Sequence, residues 1–176
     1  MLPEDYAANP DTYRDWIVNV LLQKFALGGS GRVGFFLCDE DEIPSNGKEW
    51  HTSPHFVGSY SIYATRPGNG GGTVGGTVGG TVHLTKSLVQ RGIALTGDEP
   101  VEYLHKKLYW RCSDAGGQEI PLKDVPSLKV AVLSAEYIVR PGQRPERGPW
   151  VVHPQATRGK LGGINDDSEY HGQTEG

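Results

Sequence analysis

The chain has 176 residues, a formal net charge of −4 and a pI near 5.8, which suits one domain with a proper core. Acidic and basic residues are mixed and form no basic stripe, so we expect no nucleic-acid partner. Apolar runs such as residues 130–133 are far too short to span a membrane. The N-terminus lacks the basic and apolar segments of a signal peptide, so the predicted location is the cytoplasm.

The first predicted element is a strand over residues 13–25. Trp16, Val18, Val20 and Leu22 alternate there with other residues, as on a half-buried strand. A helix is the alternative, because Trp16, Val20 and Phe25 could share one stripe. The glycine break that follows and the apolar run at 33–37 favour a strand that forms a hairpin with the next one.

Residues 39–54 form a predicted polar loop, and residues 55–63 form a third strand. A Gly-rich hairpin loop is predicted over residues 67–80, where Thr-Val-Gly-Gly occurs twice. The strand at 81–84 should then return beside the third strand.

Short helical segments are predicted after Thr85, which can cap a helix, and from Glu99, where Pro100 takes the first helical position. Strands follow at 108–112 and 128–139. Several short strands at this spacing predict an all-β fold, an antiparallel β-sandwich or barrel with one or two short helices. We predict one domain over residues 1–156 and a polar, mobile tail over residues 157–176.

The chain contains two cysteines, Cys38 and Cys112. One disulfide between them is possible, but two separate buried thiols suit a cytoplasmic protein better.

Nine short motifs then occur in a characteristic order. They are Tyr13 with Trp16, Gly-Gly-Ser at 28–30, Phe-Phe-Leu at 35–37, Trp50, Val-Gly at 57–58, Val-His-Leu-Thr at 82–85, Leu-Tyr-Trp-Arg at 108–111, Val-Ala-Val at 130–132 and Gly-Gly at 162–163. In order and spacing they resemble the C-terminal domain of fungal tyrosinases, over residues 13–163.

The resemblance implies the antiparallel β-sandwich also found at the C-terminus of haemocyanins. In tyrosinase precursors this domain shields the copper site and is removed on activation. The present chain begins with methionine near the first strand and has no room for the six copper-binding histidines, so we expect a free-standing relative. One function that follows is a non-catalytic module that shields a tyrosinase or binds a copper protein.

The function that the sequence favours follows from the free-standing branch of the family, and the shielding module is its alternative. There the haemocyanin-like zinc protein cyclopenase contracts the cyclopenin-type benzodiazepinedione, a seven-membered dilactam, to a viridicatin-type quinolone in fungal alkaloid biosynthesis. The chain is similar to this branch in its small size and its histidines. The hypothesis it favours is a zinc-dependent lyase that releases an N-methyl carbamoyl fragment, with the aromatic dilactam as its partner and neither nucleic acid nor membrane.

The predicted zinc ligands are His51, His55 and His83. His51 and His55 bracket the start of the third strand, and His83 lies on the return strand, so three imidazoles could meet as zinc requires. Glu49 is the predicted proton-transferring group, or else a fourth ligand. The spacing of these residues also allows an alternative without a metal. In it, His51 and His55 are solvated loop residues and His83 points outward from its strand.

The other three histidines, His105, His153 and His171, are expected to take no part. An apolar pocket for the aryl groups of the substrate is predicted from four aromatic side chains: Trp50, Phe56, Tyr60 and Tyr109.

Overall fold

The computed structural model describes residues 11–64 and 76–170. This part of the chain contains nine strands. They are β1 (Asp11–Gln23), β2 (Gly31–Leu37), β3 (Phe56–Ile62), β4 (Thr77–His83), β5 (Leu108–Asp114), β6 (Glu119–Ile120), β7 (Lys129–Val139), β8 (Glu146–Arg147) and β9 (Val151–Val152).

The strands form two antiparallel sheets. The first has the order β4-β1-β7-β8, with β9 also paired to β7, and the second has the order β3-β2-β5-β6. Apolar side chains of both sheets form one main core between them, which confirms the predicted all-β class.

Strand β1 confirms the choice of strand over helix at this position. Trp16, Val18, Val20 and Leu22 are all buried in the main core, as alternation on one face requires. The opposite face is not exposed either, because Ile17 is buried in a second apolar cluster.

The predicted hairpin between the first two strands is wrong. β1 pairs with β4 and β7, whereas β2 pairs with β3 and β5 in the other sheet. Gly28 and Gly29 have φ angles of 78° and 152° and carry the chain from one sheet to the other, because such angles suit glycine alone. A glycine turn between two apolar runs therefore does not distinguish a hairpin from a crossing between sheets.

The predicted hairpin across the Gly-rich segment, between β3 and β4, is also wrong. The predicted loop extended to residue 80, but Thr77 to Gly80 belong to β4, where Leu21 pairs with Gly79 and Val20 with Gly80. β4 thus returns to β1 and not to the ladder of β3. Residues 67–75 of the predicted loop lie outside the described residues.

The edge strands β3 and β4 nevertheless pack on each other across the gap between the sheets. A Cβ atom on Gly80 would lie 2.4 Å from Cδ2 of Tyr60, and one on Gly58 would lie 2.6 Å from Cγ1 of Val82. Bare backbone at these two positions lets the strands approach, so the Tyr60 ring covers Gly80.

Two short α-helices lie at the predicted places: α1 (Thr85–Gln90) and α2 (Glu99–Lys107). The Thr85 hydroxyl does not cap its own helix. It binds the Asp15 carboxylate at 2.5 Å and accepts a hydrogen bond from the Trp16 backbone N–H at 2.8 Å. α2 has proline in its first turn, as expected, and places Leu104 in the core. Short 3₁₀ helices connect other elements, at Glu40–Glu42, Gly47–Thr52, Leu122–Asp124, Pro154–Ala156 and Asp167–Glu169.

The domain does not end at residue 156, where the sequence predicted a mobile tail. Thr157 and Ile164 are buried, and Gly163 forms a parallel bridge to Val130 of β7. Ile164 joins the second apolar cluster on the outer face of the first sheet, together with Trp150 and other residues. Packing therefore continues to residue 170, because this face needs a cover.

The α-helices in the described part of the chain have six and nine residues, and none is long and apolar enough to cross a membrane.

The contact between Tyr60 and Gly80 provides a test of the packing of β3 on β4. Gly80→Ala should lower the free energy of unfolding by about 1–3 kcal/mol, because the new methyl group has to displace the Tyr60 ring. Gly76→Ala is the matched control, since a Cβ there meets nothing within 4 Å, and it should stay within about 0.5 kcal/mol. Urea unfolding measures both, and an equal effect of the two variants would contradict the packing.

Candidate functional site

The predicted metal ligands lie on three separate elements. His51 and Glu49 are exposed on the 3₁₀ helix Gly47–Thr52. This short helix is anchored by Trp50, which is fully buried and whose indole N–H donates to the Pro44 carbonyl at 2.8 Å. Because neighbouring residues point in different directions on a 3₁₀ helix, burial of Trp50 leaves Glu49 and His51 in solvent.

His55 is half-buried just before β3 and already has a partner. Its Nε2 lies 3.2 Å from Oε2 of Glu42, in the acidic turn after β2. His83 is exposed at the end of β4, opposite Ile17 of β1. The predicted approach of His83 to His55 depended on β4 pairing with β3. In the structure β4 pairs with β1 instead.

The described residues contain one group of three possible ligands within 4.8 Å of one another, and it consists of exposed Asp39, Asp41 and Glu42. Lys107 already binds Asp39 at 2.6 Å, so part of the acidic charge is neutralised. The arrangement of His51, His55 and His83 does not fit a three-histidine zinc centre, and zinc binding stays a prediction.

Three of the four predicted pocket aromatics pack on other residues of the domain. Trp50 packs edge-on against Phe36 with ring centroids 5.7 Å apart, and Phe56 packs on the same ring at 5.6 Å. Tyr60 covers Gly80. Tyr109 differs from these, because it lines a cavity of about 320 Å³.

That cavity contains a residue that the sequence did not single out, Lys160. Its Nζ lies 4.6 Å from the ring centroid of Tyr109 and donates to the carbonyls of Leu104 and Leu108 at 3.1 and 2.6 Å. Burial lowers the pKa of this amine to about 8, although Glu40 acts in the opposite direction. The Gly-Gly at 162–163, part of the family resemblance, was the available sign that residue 160 belongs to the folded domain.

A second cluster that the sequence missed surrounds His153, which was expected to take no part in a site. Its ring stacks on Trp16 with centroids 4.7 Å apart, and Nε2 lies 2.7 Å from the hydroxyl of buried Ser134. Arg14 donates to the same hydroxyl at 2.8 Å. Burial first, and then Arg14, lowers the pKa of His153 to about 4. Ser134 is fully buried, so the pair is placed for packing and not to attack a substrate.

The two cysteines are free and buried, which confirms two separate thiols. Burial raises the pKa of Cys38 to about 11 and that of Cys112 to about 12. Neither forms the thiolate that nucleophilic or redox chemistry requires at neutral pH.

The described residues form a two-sheet antiparallel β-domain, and the one group of three possible metal ligands among them is the exposed acidic group Asp39, Asp41 and Glu42. The sequence model of the Tyrosinase C-terminal domain family matches residues 15–132. A tyrosinase of Neurospora crassa is 32% identical over 90% of the chain, which spans 25% of that relative's length. The chain belongs to the tyrosinase C-terminal domain family.

Solved structures show the same fold. A recombinant mushroom tyrosinase (abPPO4) superposes with a TM-score of 0.62 at 21% identity, over 82% of this chain and 25% of that one. A structure of coexisting latent and active mushroom tyrosinase superposes with a TM-score of 0.59 at 20% identity, over 81% of this chain and 26% of that one. Both confirm the predicted fold class, and the chain matches about a quarter of each.

The environment of His153 predicts a pH dependence of stability. Because its pKa is about 4 in the folded protein and about 6.5 in an unfolded chain, the unfolded state binds a proton first as the pH falls. The free energy of unfolding should therefore decrease from about pH 6.5 to pH 4, by about 2 kcal/mol for this partly buried ring.

Urea unfolding of the parent and of His153→Gln from pH 7 to pH 4 measures this contribution apart from that of the carboxylates. The variant should lose part of the slope, while His51→Gln, at an exposed histidine, should keep it. Identical slopes in the parent and His153→Gln would show that His153 is not the group responsible.

Proposed function

We propose that this domain is a non-catalytic shielding module, which binds a tyrosinase-type copper oxidase domain and covers the entrance to its active site. Membership of the Tyrosinase C-terminal domain family supports this. The observation that carries the proposal is Tyr63, an aromatic side chain that is 85% exposed at the end of β3.

The backbone around Tyr63 is firmly held. Ile62 and Ala64 on either side are buried. The Ser30 hydroxyl accepts a hydrogen bond from the Ala64 N–H at 3.1 Å and donates to the Ala64 carbonyl at 3.3 Å. An exposed ring on a fixed base loses little conformational freedom when it enters a partner's pocket, which is the property of a binding anchor.

The other exposed large apolar side chains in the described part of the chain suit this role less well. Tyr13 is 43% exposed and stacks on Tyr137, with ring centroids 5.2 Å apart. Val89, Val151 and Leu161 are aliphatic and less exposed than Tyr63. Large aromatic side chains are the usual hot spots of protein interfaces, so Tyr63 is the residue that we assign to the copper-site entrance.

The second hypothesis, a zinc-dependent contraction of a cyclopenin-type dilactam in the cytoplasm, stays a prediction. Tyr109 beside a cavity supports small-molecule binding in general. Among the described residues, the three predicted histidine ligands do not form a group within 4.8 Å of one another. Glu49 is exposed, so neither observation supports the predicted catalytic group. The shielding role requires none of these residues.

Inhibition in trans tests the shielding role. The purified chain should inhibit a fungal tyrosinase whose own C-terminal domain has been removed, measured by oxidation of a monophenol. Tyr63→Ala should raise the inhibition constant at least about ten-fold, because an interface hot spot is lost. Tyr13→Ala is the matched control and should change it less than about two-fold. The proposal is wrong if the parent does not inhibit, or if Tyr63→Ala inhibits as well as Tyr13→Ala.

Metal content separates the two functions. After dialysis without chelator, elemental analysis of a pure shielding module should show less than about 0.1 zinc per chain, since a zinc site needs three or four converging ligands. One zinc per chain that is lost in His51→Ala/His55→Ala, together with conversion of a cyclopenin-type substrate, would instead establish the lyase. His105→Ala is the control histidine variant.

A further inference from the structure

The surface at the foot of the Tyr63 ring is concave. A cavity of about 290 Å³ lies where the start of β2, the end of β3 and the end of β5 meet, and Tyr63 is one of the residues that line it. This volume is just below the range of small-molecule sites, which begins at about 300 Å³. The cavity therefore suits a single side chain of a partner protein better than a whole small-molecule ligand.

Arg32 is the cation that lines this cavity. It pairs with Ser61 of β3, and its side chain lies on the outer face of the second sheet, because the next residue, Val33, is buried in the main core. Ser61 and Tyr63 lie on the same face, since Ile62 between them is buried. Arg32 is half-buried there, so its guanidinium shares one surface with the exposed ring of Tyr63.

The guanidinium of Arg32 has no hydrogen bond or ion pair to the part of the chain that the structure describes. The ion pairs in that part belong to other cations. The acid that lines the cavity, Asp114, serves its own turn, because its Oδ1 accepts hydrogen bonds from the backbone N–H groups of Gly116 and Gln118, both at 2.9 Å. The five N–H donors of Arg32 are therefore available to a partner.

Arg32 differs in this respect from the other half-buried arginines of the described residues. Partial burial removes water from a charged group, and a hydrogen-bonding or charged partner normally compensates for that loss. Each of the others has such a partner: Arg14 has Ser134, Arg91 has the Ser87 carbonyl, Arg111 has Glu40, Arg140 has Glu146 and Arg147 has the Trp150 ring. The missing partner of Arg32 is the feature that points to a contact outside this domain.

We propose that Arg32 binds the carboxylate of an aspartate or glutamate at the rim of the oxidase domain's active-site entrance when Tyr63 covers that entrance. This assignment rests on the shielding role proposed above and adds the chemistry of the partner's surface. A planar guanidinium binds both oxygens of a carboxylate at once, so the pair fixes the orientation of the docked domain as well as its position. The contact also selects oxidase domains that carry an acid at this place, because an unpaired charge at an interface is unfavourable.

Inhibition of the same truncated tyrosinase, in which the C-terminal domain has been removed, tests the contact. Arg32→Gln should raise the inhibition constant about ten-fold, because both the charge and the fork of N–H donors are lost. Arg32→Lys should fall between the parent and Arg32→Gln, since an ammonium group keeps the charge without the fork. Arg144→Gln is the matched control: it removes the same charge at an exposed arginine and should change the constant less than about two-fold.

Salt dependence and stability distinguish the contact from a structural role of Arg32. Raising NaCl from about 50 to about 500 mM should weaken inhibition by the parent and by Arg144→Gln several-fold, and inhibition by Arg32→Gln less, because salt screens a charge pair that this variant lacks. The urea midpoint of Arg32→Gln should equal that of the parent. A lowered midpoint with unchanged inhibition would show instead that Arg32 stabilises its own domain, and would overturn the proposal.

The outcomes separate this contact from the shielding role on which it rests. If the parent does not inhibit at all, both the shielding role and the Arg32 contact are wrong. If Tyr63→Ala weakens inhibition and Arg32→Gln does not, the shielding role stands and the carboxylate contact is wrong. Equal effects of Arg32→Gln and Arg144→Gln would also overturn the contact, because only the total charge of the domain would then matter.

Discussion

The structure depends on the burial of both faces of the β1–β7 pair. One face lies in the main core, and the other lies under the C-terminal segment, where Ile17, Leu133 and Ile164 meet. A strand pair with two apolar faces needs a layer on each side. The polar, glycine-rich segment after residue 156 is therefore part of the domain and brings Lys160 to its place.

Local patterns in the sequence predicted the elements, but not their partners. Alternation identified β1, and proline in a first turn identified α2. The glycine breaks before β2 and before β4 were interpreted as hairpins, although each crosses from one sheet to the other. Turn chemistry fixes where a chain reverses, whereas strand pairing is decided by non-local packing. Because of that error, His83 was expected in the ladder of the third strand, whereas it pairs with Ile17 of β1.

Candidate site residues were chosen for their chemical type, and their burial then decided their role. Trp50 is an anchor of its loop because its indole N–H finds a carbonyl inside, and Tyr63 is exposed although an aromatic residue favours burial. The overlooked residues, His153 and Lys160, owe their low pKa values to surroundings supplied by distant parts of the chain. No spacing rule along the sequence contains that information. The family resemblance does contain part of that information, because the resemblance extends to residue 163 and so includes His153 and Lys160 in the domain.

The pairing of β4 with β1 also bears on which changes of length the chain can accept. The Thr-Val-Gly-Gly units at 73–76 and 77–80 are identical in sequence, so adding or removing one unit leaves the same four residues directly before Thr81. The register of β4 is fixed from its C-terminal end, by buried Val82 and Leu84. An added unit therefore enters ahead of Thr77 and leaves the residues paired with β1 unchanged. The number of these units can therefore differ while the residues paired with β1 stay the same.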